Sequence, residues 1–304
     1  MIDIQYSAEV CAAKETGSAI VALESTIITH GMPFPQNVEV AAQVEQDIRD
    51  AGATPATIAV MEGILHVGLE PDQLRALGQA QAVAKVSRAD MPACIAMGKT
   101  GATTVAATMI AARLAGISVF ATGGIGGVHK GAETSFDISA DLLELAQTPV
   151  TVVAAGAKAI LDVPKTLETL ETQGVPVISY GQDSFPAFWS AQSELTSPLR
   201  MDKASDIARA QFTRSAMGLP GGQLIANPIP QESEIAAEVL APVIAQAQAE
   251  ADAQGVSGKA VTPFLLKRIF ELTEGRSLTA NIALVRNNAR LAAEIAKEMA
   301  ALNS

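Results

Sequence analysis

Lys158 stands in the stretch "TVVAAGAKAILD" (151–162), among valines, alanines and a glycine, with no acid before Asp162. Such surroundings disfavour an ammonium, so the residue is either incidental to packing or an amine kept uncharged and nucleophilic. Glu24 in "VALEST" and Lys85 in "VAKVS" repeat the arrangement, each ionisable group at or near the end of an apolar run. For Glu24 the plain reading is a strand-end carboxylate reaching water. The chemical reading is a partly buried acid with its pKa raised enough to donate a proton. Ligands of open α/β sheets bind outside the carboxyl ends of the strands. Three such residues therefore point to one shared pocket.

Other signals are weaker. "AMGKTGATT" (96–104) resembles a phosphate-loop tail but has Ala93 where the first glycine belongs, and "ATGGIGGVHKG" (121–131) has His129 in place of the third glycine of a dinucleotide fingerprint. What remains is general: glycine-rich loops after strands, with Lys99, Thr100, Thr103 and Thr104 as added donors, offer an anion backbone amides. Glu133, Asp137 and Asp141 fall within nine residues beside that loop. They read either as helix-start acids or as oxygen ligands for a hard divalent cation. His30, His66 and His129 are the only histidines and show no zinc spacing. His66 lies in an apolar run and reads as core, whereas His30 and His129 lie in the suspected loops.

The elements that must position these groups follow from the hydrophobic pattern. "AIVAL" (19–23), "ATIAVM" (56–61), "ILHVG" (64–68), "QAVAKVS", "ISVFATGG", "TPVTVVAAG" and "VPVISYG" are short β-rich runs, the second and third paired across Glu62-Gly63. Helical spacing marks Val38 to Ile48, a stretch after Pro71, Thr103–Leu114, Asp141–Ala146 and Thr166–Gln173, then 232–253, 262–273 and 278–302. This alternation predicts an α/β fold: a three-layer α/β/α sandwich around a mostly parallel or mixed sheet, with a helical C-terminal flank. One domain over 1–304 is expected. The irregular stretch 182–200 holds the only Trp and reads as a lid or an oligomer contact.

Composition bounds the function. Of 304 residues, 49% are hydrophobic and 4% aromatic, enough for a sizeable core closely packed with small side chains. A net charge of −11 argues against general affinity for nucleic acid. Two cysteines, Cys11 and Cys94, are too few for a disulfide framework; no apolar run approaches membrane-spanning length, and the N-terminus lacks a signal-peptide pattern. A soluble cytoplasmic protein is expected.

The motifs "ALESTIITHGMPFPQN", "AVAKVSRADMP", "GGIGGVHKGAETSFDISADL", "AGAKAILDVPKTLETLETQGVPV" and "SLTANIALVRNNARLAAEIA" together resemble the pseudouridine-5′-phosphate glycosidase family, which includes proteins named indigoidine synthase A. The likeness spans nearly the whole chain in order. It implies an α/β/α sandwich assembled as a homotrimer, one manganese ion, and reversible cleavage of pseudouridine 5′-phosphate to uracil and ribose 5-phosphate. Carried over by position, it implies Glu24 as proton donor and Lys158 as nucleophile. Lys85, the Val105 backbone, the Ser139-Ala140-Asp141 segment and Asn281 would contact substrate, and Asp137 would bind the metal.

A carbon–carbon glycosidic bond suits an imine better than a carboxylate pair working through an oxocarbenium ion. Glu24 is expected to protonate the ribose ring oxygen, and neutral Lys158 to bond C1′. Loop amides and threonines are expected to hold the phosphate. Two other readings share parts of this pattern: a Schiff-base lyase acting on another phosphosugar, and a non-catalytic metabolite-binding protein.

Overall fold

The computed structural model describes residues 2–256 and 258–302. The strands are β1 (Ile4–Tyr6), β2 (Ile20–Leu23), β3 (Thr54–Met61), β4 (Ile64–Val67), β5 (Ala84–Val86), β6 (Gly101–Thr103), β7 (Val119–Ala121), β8 (Thr151–Ala154), β9 (Val177–Tyr180), β10 (Leu199–Met201) and β11 (Gln223–Ala226). They form one sheet in the order β1-β4-β3-β2-β7-β8-β11-β9-β10, with β6 joining β3 and β5 joining β6. Among the described residues only β3 makes antiparallel pairs, with β4 and β6; every other pair is parallel. The mixed, mostly parallel sheet expected from the sequence is what forms. Parallel strands covered on both faces read as unbroken apolar runs, and β8 and β11 are buried at every residue.

The helices are α1 (Ala8–Thr16), α2 (Thr26–His30), α3 (Gln36–Asp50), α4 (Pro71–Gln79), α5 (Met91–Ala96), α6 (Val105–Ala115), α7 (Ala132–Ser135), α8 (Ala140–Gln147), α9 (Val163–Thr172), α10 (Ala204–Ala216), α11 (Ala237–Ala253), α12 (Val261–Leu272) and α13 (Arg276–Leu302). On one face α13 packs against β2, β7 and β8, flanked by α3 and α10; on the other α6 packs against β2, β3, β4 and β7, followed by α8 and α9. The Glu62-Gly63 turn closes the β3–β4 hairpin with both residues at positive φ, 51° and 80°, the geometry of a two-residue turn matched to strand twist.

Two expectations are corrected. The helix predicted from 232 begins at Ala237, after a short 3₁₀ turn at Gln231–Ser233. Ile235 is held outside the helix instead, its N–H donating to the Trp189 carbonyl (2.8 Å) and its own carbonyl accepting from Ser190 Oγ (2.6 Å). The 182–200 stretch is no lid: Phe185, Phe188 and Trp189 are 1–3% exposed and belong to the main core. Gly156 makes this close approach possible. It sits at φ +86°, and a Cβ there would meet the Pro186 carbonyl at 2.8 Å. Strand β11 lies between β8 and β9, and with α10 it was not among the elements read from the sequence.

Candidate active site

The register of three adjacent parallel strands lines up the first group. Leu23 of β2 pairs with Ala121 of β7, and Ala121 pairs with Val153 of β8. The next residues in the first two strands, Glu24 and Thr122, therefore emerge side by side at the carboxyl edge of the sheet. Glu24 is half-buried, and both its carboxylate oxygens are held: Thr122 Oγ1 donates to Oε1 and Thr26 Oγ1 to Oε2. Neither threonine was among the residues singled out from the sequence. Each lies in a quoted motif, but the side chains that meet are 98 positions apart in the case of Thr122 and Glu24.

Lys158 lies four residues past the end of β8, in a loop rather than at the strand end. That loop is returned to the sheet edge by a bridge between Ala157 and Ile125 and by donation from the Lys158 N–H to the Ile125 carbonyl (3.1 Å). The Lys158 side chain is half-buried. Its loop and the glycine-rich loop that follows Thr122 thus run together.

His129 lies within electrostatic reach of the remaining groups. Its N–H donates to the Asp137 carbonyl (3.0 Å). Its imidazole is pushed below its ordinary pKa by burial, with the Asp137 carboxylate raising it and the nearby Lys158 and Lys85 side chains lowering it further. One ring therefore senses the nucleophile candidate, the second amine and the metal-ligand candidate. His30 is likewise lowered by burial and then by Lys85. Sequence reasoning placed both histidines in suspect loops but assigned neither a role; the signal for His129 was its seat directly behind "GGIGGV".

The three acids do not converge. Glu133 is exposed and pairs with Lys165 (3.0 Å). Asp141 is buried, and its carboxylate accepts from the Ala106 N–H at the start of α6 (2.9 Å) and from the Gly126 N–H (2.7 Å). A Cβ on Gly126 would come within 2.8 Å of that same carboxylate oxygen. Asp141 thus ties the glycine-rich loop to α6, which leaves Ser139 and the backbone as what this segment offers a ligand. Ser139 Oγ also caps α8, accepting from the Asp141 N–H (3.2 Å). Asp137 alone has a carboxylate with no hydrogen bond among the described residues, and no set of three metal-ligating side chains is found among them.

The anion-binding expectation is narrowed in the same way. Thr103 Oγ1 donates to the Ile58 carbonyl (2.8 Å) and Thr100 Oγ1 accepts from the Glu62 N–H (3.3 Å), so both are committed to the fold. Thr104 Oγ1 is buried without a hydrogen-bond partner among the described residues, at the N-cap of α6. The Val105 N–H follows at the first helical position, where no intrahelical acceptor exists. Together they leave a donor-rich spot beside Asp141.

Asn281 projects from α13, seven residues before Asn288 and so on the same helix face. Asn288 is fully buried and donates to the Thr122 carbonyl (2.8 Å), which anchors that face beside Glu24. Val285 lines a small cavity with Glu24 and Thr122. A separate cavity of about 500 Å³ is lined by Thr29, His30, Asn37, Gln79, Gln81 and Val83 among others. It contains none of the candidate catalytic residues, and its link to them is His30, which feels Lys85.

Comparison with known proteins gives a consistent picture. The family model described as "Indigoidine synthase A like protein" matches residues 9–298. A pseudouridine-5′-phosphate glycosidase of Roseobacter denitrificans is 73% identical over 300 residues, covering 99% of this chain and 97% of that one. A second, from Jannaschia sp., is 66% identical over 298 residues, covering 98% of this chain and 99% of the other. Among solved structures, a prealnumycin C-glycosynthase in complex with ribulose 5-phosphate superposes with a TM-score of 0.92 at 37% identity, covering 99% of this chain and 98% of that chain.

Proposed function

This chain belongs to the family of pseudouridine-5′-phosphate glycosidases and indigoidine synthase A-like proteins, and on that premise we propose that it cleaves pseudouridine 5′-phosphate reversibly to uracil and ribose 5-phosphate through a lysine imine. Glu24 gives a proton to the ribose ring oxygen as the C1′–O bond breaks. Lys158, as the free amine, bonds to C1′ and loses its extra proton. The nitrogen lone pair then forms the iminium while the electrons of the carbon–carbon bond pass to uracil C5, which takes up a proton. Water hydrolyses the iminium, freeing ribose 5-phosphate and restoring Lys158.

What chiefly supports this reading is that the Lys158 loop is tied back to the glycine-rich loop that follows Thr122, at the sheet edge where Thr26 and Thr122 orient the Glu24 carboxylate, and that His129 in that loop feels the charges of Asp137, Lys158 and Lys85. Lys85 would meet the substrate's negative charge. The Thr104–Val105 turn and Ser139 would take phosphate oxygens, binding energy spent remote from the reacting carbon. Asp137, whose carboxylate accepts no hydrogen bond among the described residues, would be available to hold a hard divalent ion such as manganese, which prefers oxygen ligands. Such an ion would supply charge for holding the substrate. A cytoplasmic homotrimer completes the reading; Phe136, 82% exposed, and Ile138 beside Asp137 offer an apolar surface for assembly.

The test is borohydride reduction in the presence of ribose 5-phosphate, followed by peptide mapping, alongside synthesis of pseudouridine 5′-phosphate from uracil. A reduced adduct on Lys158 together with product is the expected result. An adduct on another residue refutes the assignment; an adduct without product from uracil points to a lyase for a different phosphosugar.

A further inference from the structure

The 182–198 stretch has no strand or helix, yet it carries the chain's only tryptophan deep in the core. Trp189 is 1% exposed and fixed on several sides. Phe188 meets it edge-on with ring centroids 5.0 Å apart, the Phe188 N–H donates to the Ala155 carbonyl (3.2 Å), and the Trp189 carbonyl accepts from Ile235 (2.8 Å). The indole is therefore a rigid group. It spends its single polar atom on Asn281: Nε1 donates to Oδ1 at 2.7 Å.

This bond has a directional consequence. An indole N–H can only donate, so the Asn281 carboxamide must turn its oxygen toward Trp189. What is left is the NH₂, and it donates to nothing among the described residues. Asn281 is partly exposed, one helical turn from Val285, which shares a cavity with Glu24. An unrestrained carboxamide could rotate by half a turn and offer either a donor or an acceptor. This one cannot without breaking the bond to Trp189.

We infer that Trp189 is a positioning residue that fixes the Asn281 carboxamide with its NH₂ toward the ligand, so that this position selects a carbonyl oxygen of the base. A ribose hydroxyl both donates and accepts and would satisfy either end of the amide; a pyrimidine carbonyl accepts only, and is what a locked donor distinguishes. The inference rests on the reading of Asn281 as a substrate contact, and it adds to that reading which atom makes the contact and what holds it.

Because the chain has one tryptophan, replacing all tryptophan with 3-benzothienylalanine exchanges one N–H for sulfur at constant shape and touches no other residue. In the synthesis direction the KM for uracil should rise about tenfold, the worth of one well-placed hydrogen bond, while the KM for ribose 5-phosphate and the borohydride-trapped Lys158 adduct stay within about twofold. N281D, which turns an oxygen toward both Trp189 and the base, should raise the uracil KM more than N281A does. The Trp189 emission should shift when uracil binds the ribose 5-phosphate-loaded wild-type protein and stay unshifted in N281A. An unchanged uracil KM in the analogue, while N281A raises it, would overturn the positioning role alone. An unchanged uracil KM in N281A would overturn the substrate contact beneath it, and equal rises in both KM values would reduce Trp189 to a structural residue.

Discussion

Thr122 and Glu24 sit at the ends of neighbouring parallel strands, and the threonine hydroxyl donates to the carboxylate across the gap between them. With Thr26 on the other oxygen, the acid is held in one orientation before substrate arrives. T122V keeps the shape and removes one of the two donors. Its kcat is expected to fall about tenfold with little change in KM, from the loss of one charge-assisted hydrogen bond. E24Q removes the proposed proton donor itself and should cost about 10²- to 10⁴-fold. Steady-state release of uracil measures both; equal losses in the two variants would argue against an orienting role for Thr122.

Asp137 differs from its neighbours Glu133 and Asp141 in having a carboxylate free of hydrogen bonds among the described residues. D137N is expected to lose manganese binding, read directly by titration of the free ion's paramagnetic resonance signal, while E133Q leaves that titration unchanged. Retention of the ion by D137N would remove this residue from the metal's ligands.

Glu144 is fully buried on α8, where it accepts from Thr148 and pairs with Arg88, which is 47% exposed. The pair ties the loop following Lys85 to the helix that begins beside Ser139. R88M strands a buried carboxylate and should lower unfolding stability by about 3 kcal/mol, with much of this restored in R88M/E144Q. Urea denaturation of the single and double variants gives the coupling. Additive effects would show that the pair contributes little.

His66 and His129 are held below the ordinary histidine value of 6.5, in each case first by burial. The unfolded chain therefore takes up protons that the folded chain refuses. Stability is complete above about pH 6.5 and declines as pH falls through that value toward the lower folded-state pKa values. The urea midpoint should drop between pH 7.5 and 5.5, and H129Q should flatten part of the decline. A midpoint constant over that range would contradict the burial of these rings.

Much of the frame was legible in the sequence because each signal was local. The turn at Glu62-Gly63 with apolar runs on either side specifies a hairpin, and Val38, Ala41, Val44 and Ile48 at helical spacing specify α3. Strand β11 escaped the sequence reading, and what makes "QLIA" a central strand is the presence of β8 and β9 beside it. The 182–198 segment escaped for the opposite reason: no periodic pattern marks a stretch whose order comes from packing Phe185, Phe188 and Trp189 onto the loops after β7 and β8.

By itself the sequence determined the kind of fold, and it marked Glu24, Lys85 and Lys158 as ionisable groups set in or beside apolar runs, because burial pattern and composition are properties of neighbouring residues. Only the tertiary structure decided which of the acids beside the glycine-rich loop keeps a carboxylate without a hydrogen bond among the described residues. Asp141 is consumed by amides 15 and 35 positions away and Glu133 by a lysine 32 positions away, leaving Asp137. The physical reason is that a side chain's role depends on whether its hydrogen-bonding capacity is already spent, and here the partners that spend it are brought close only by the folded sheet.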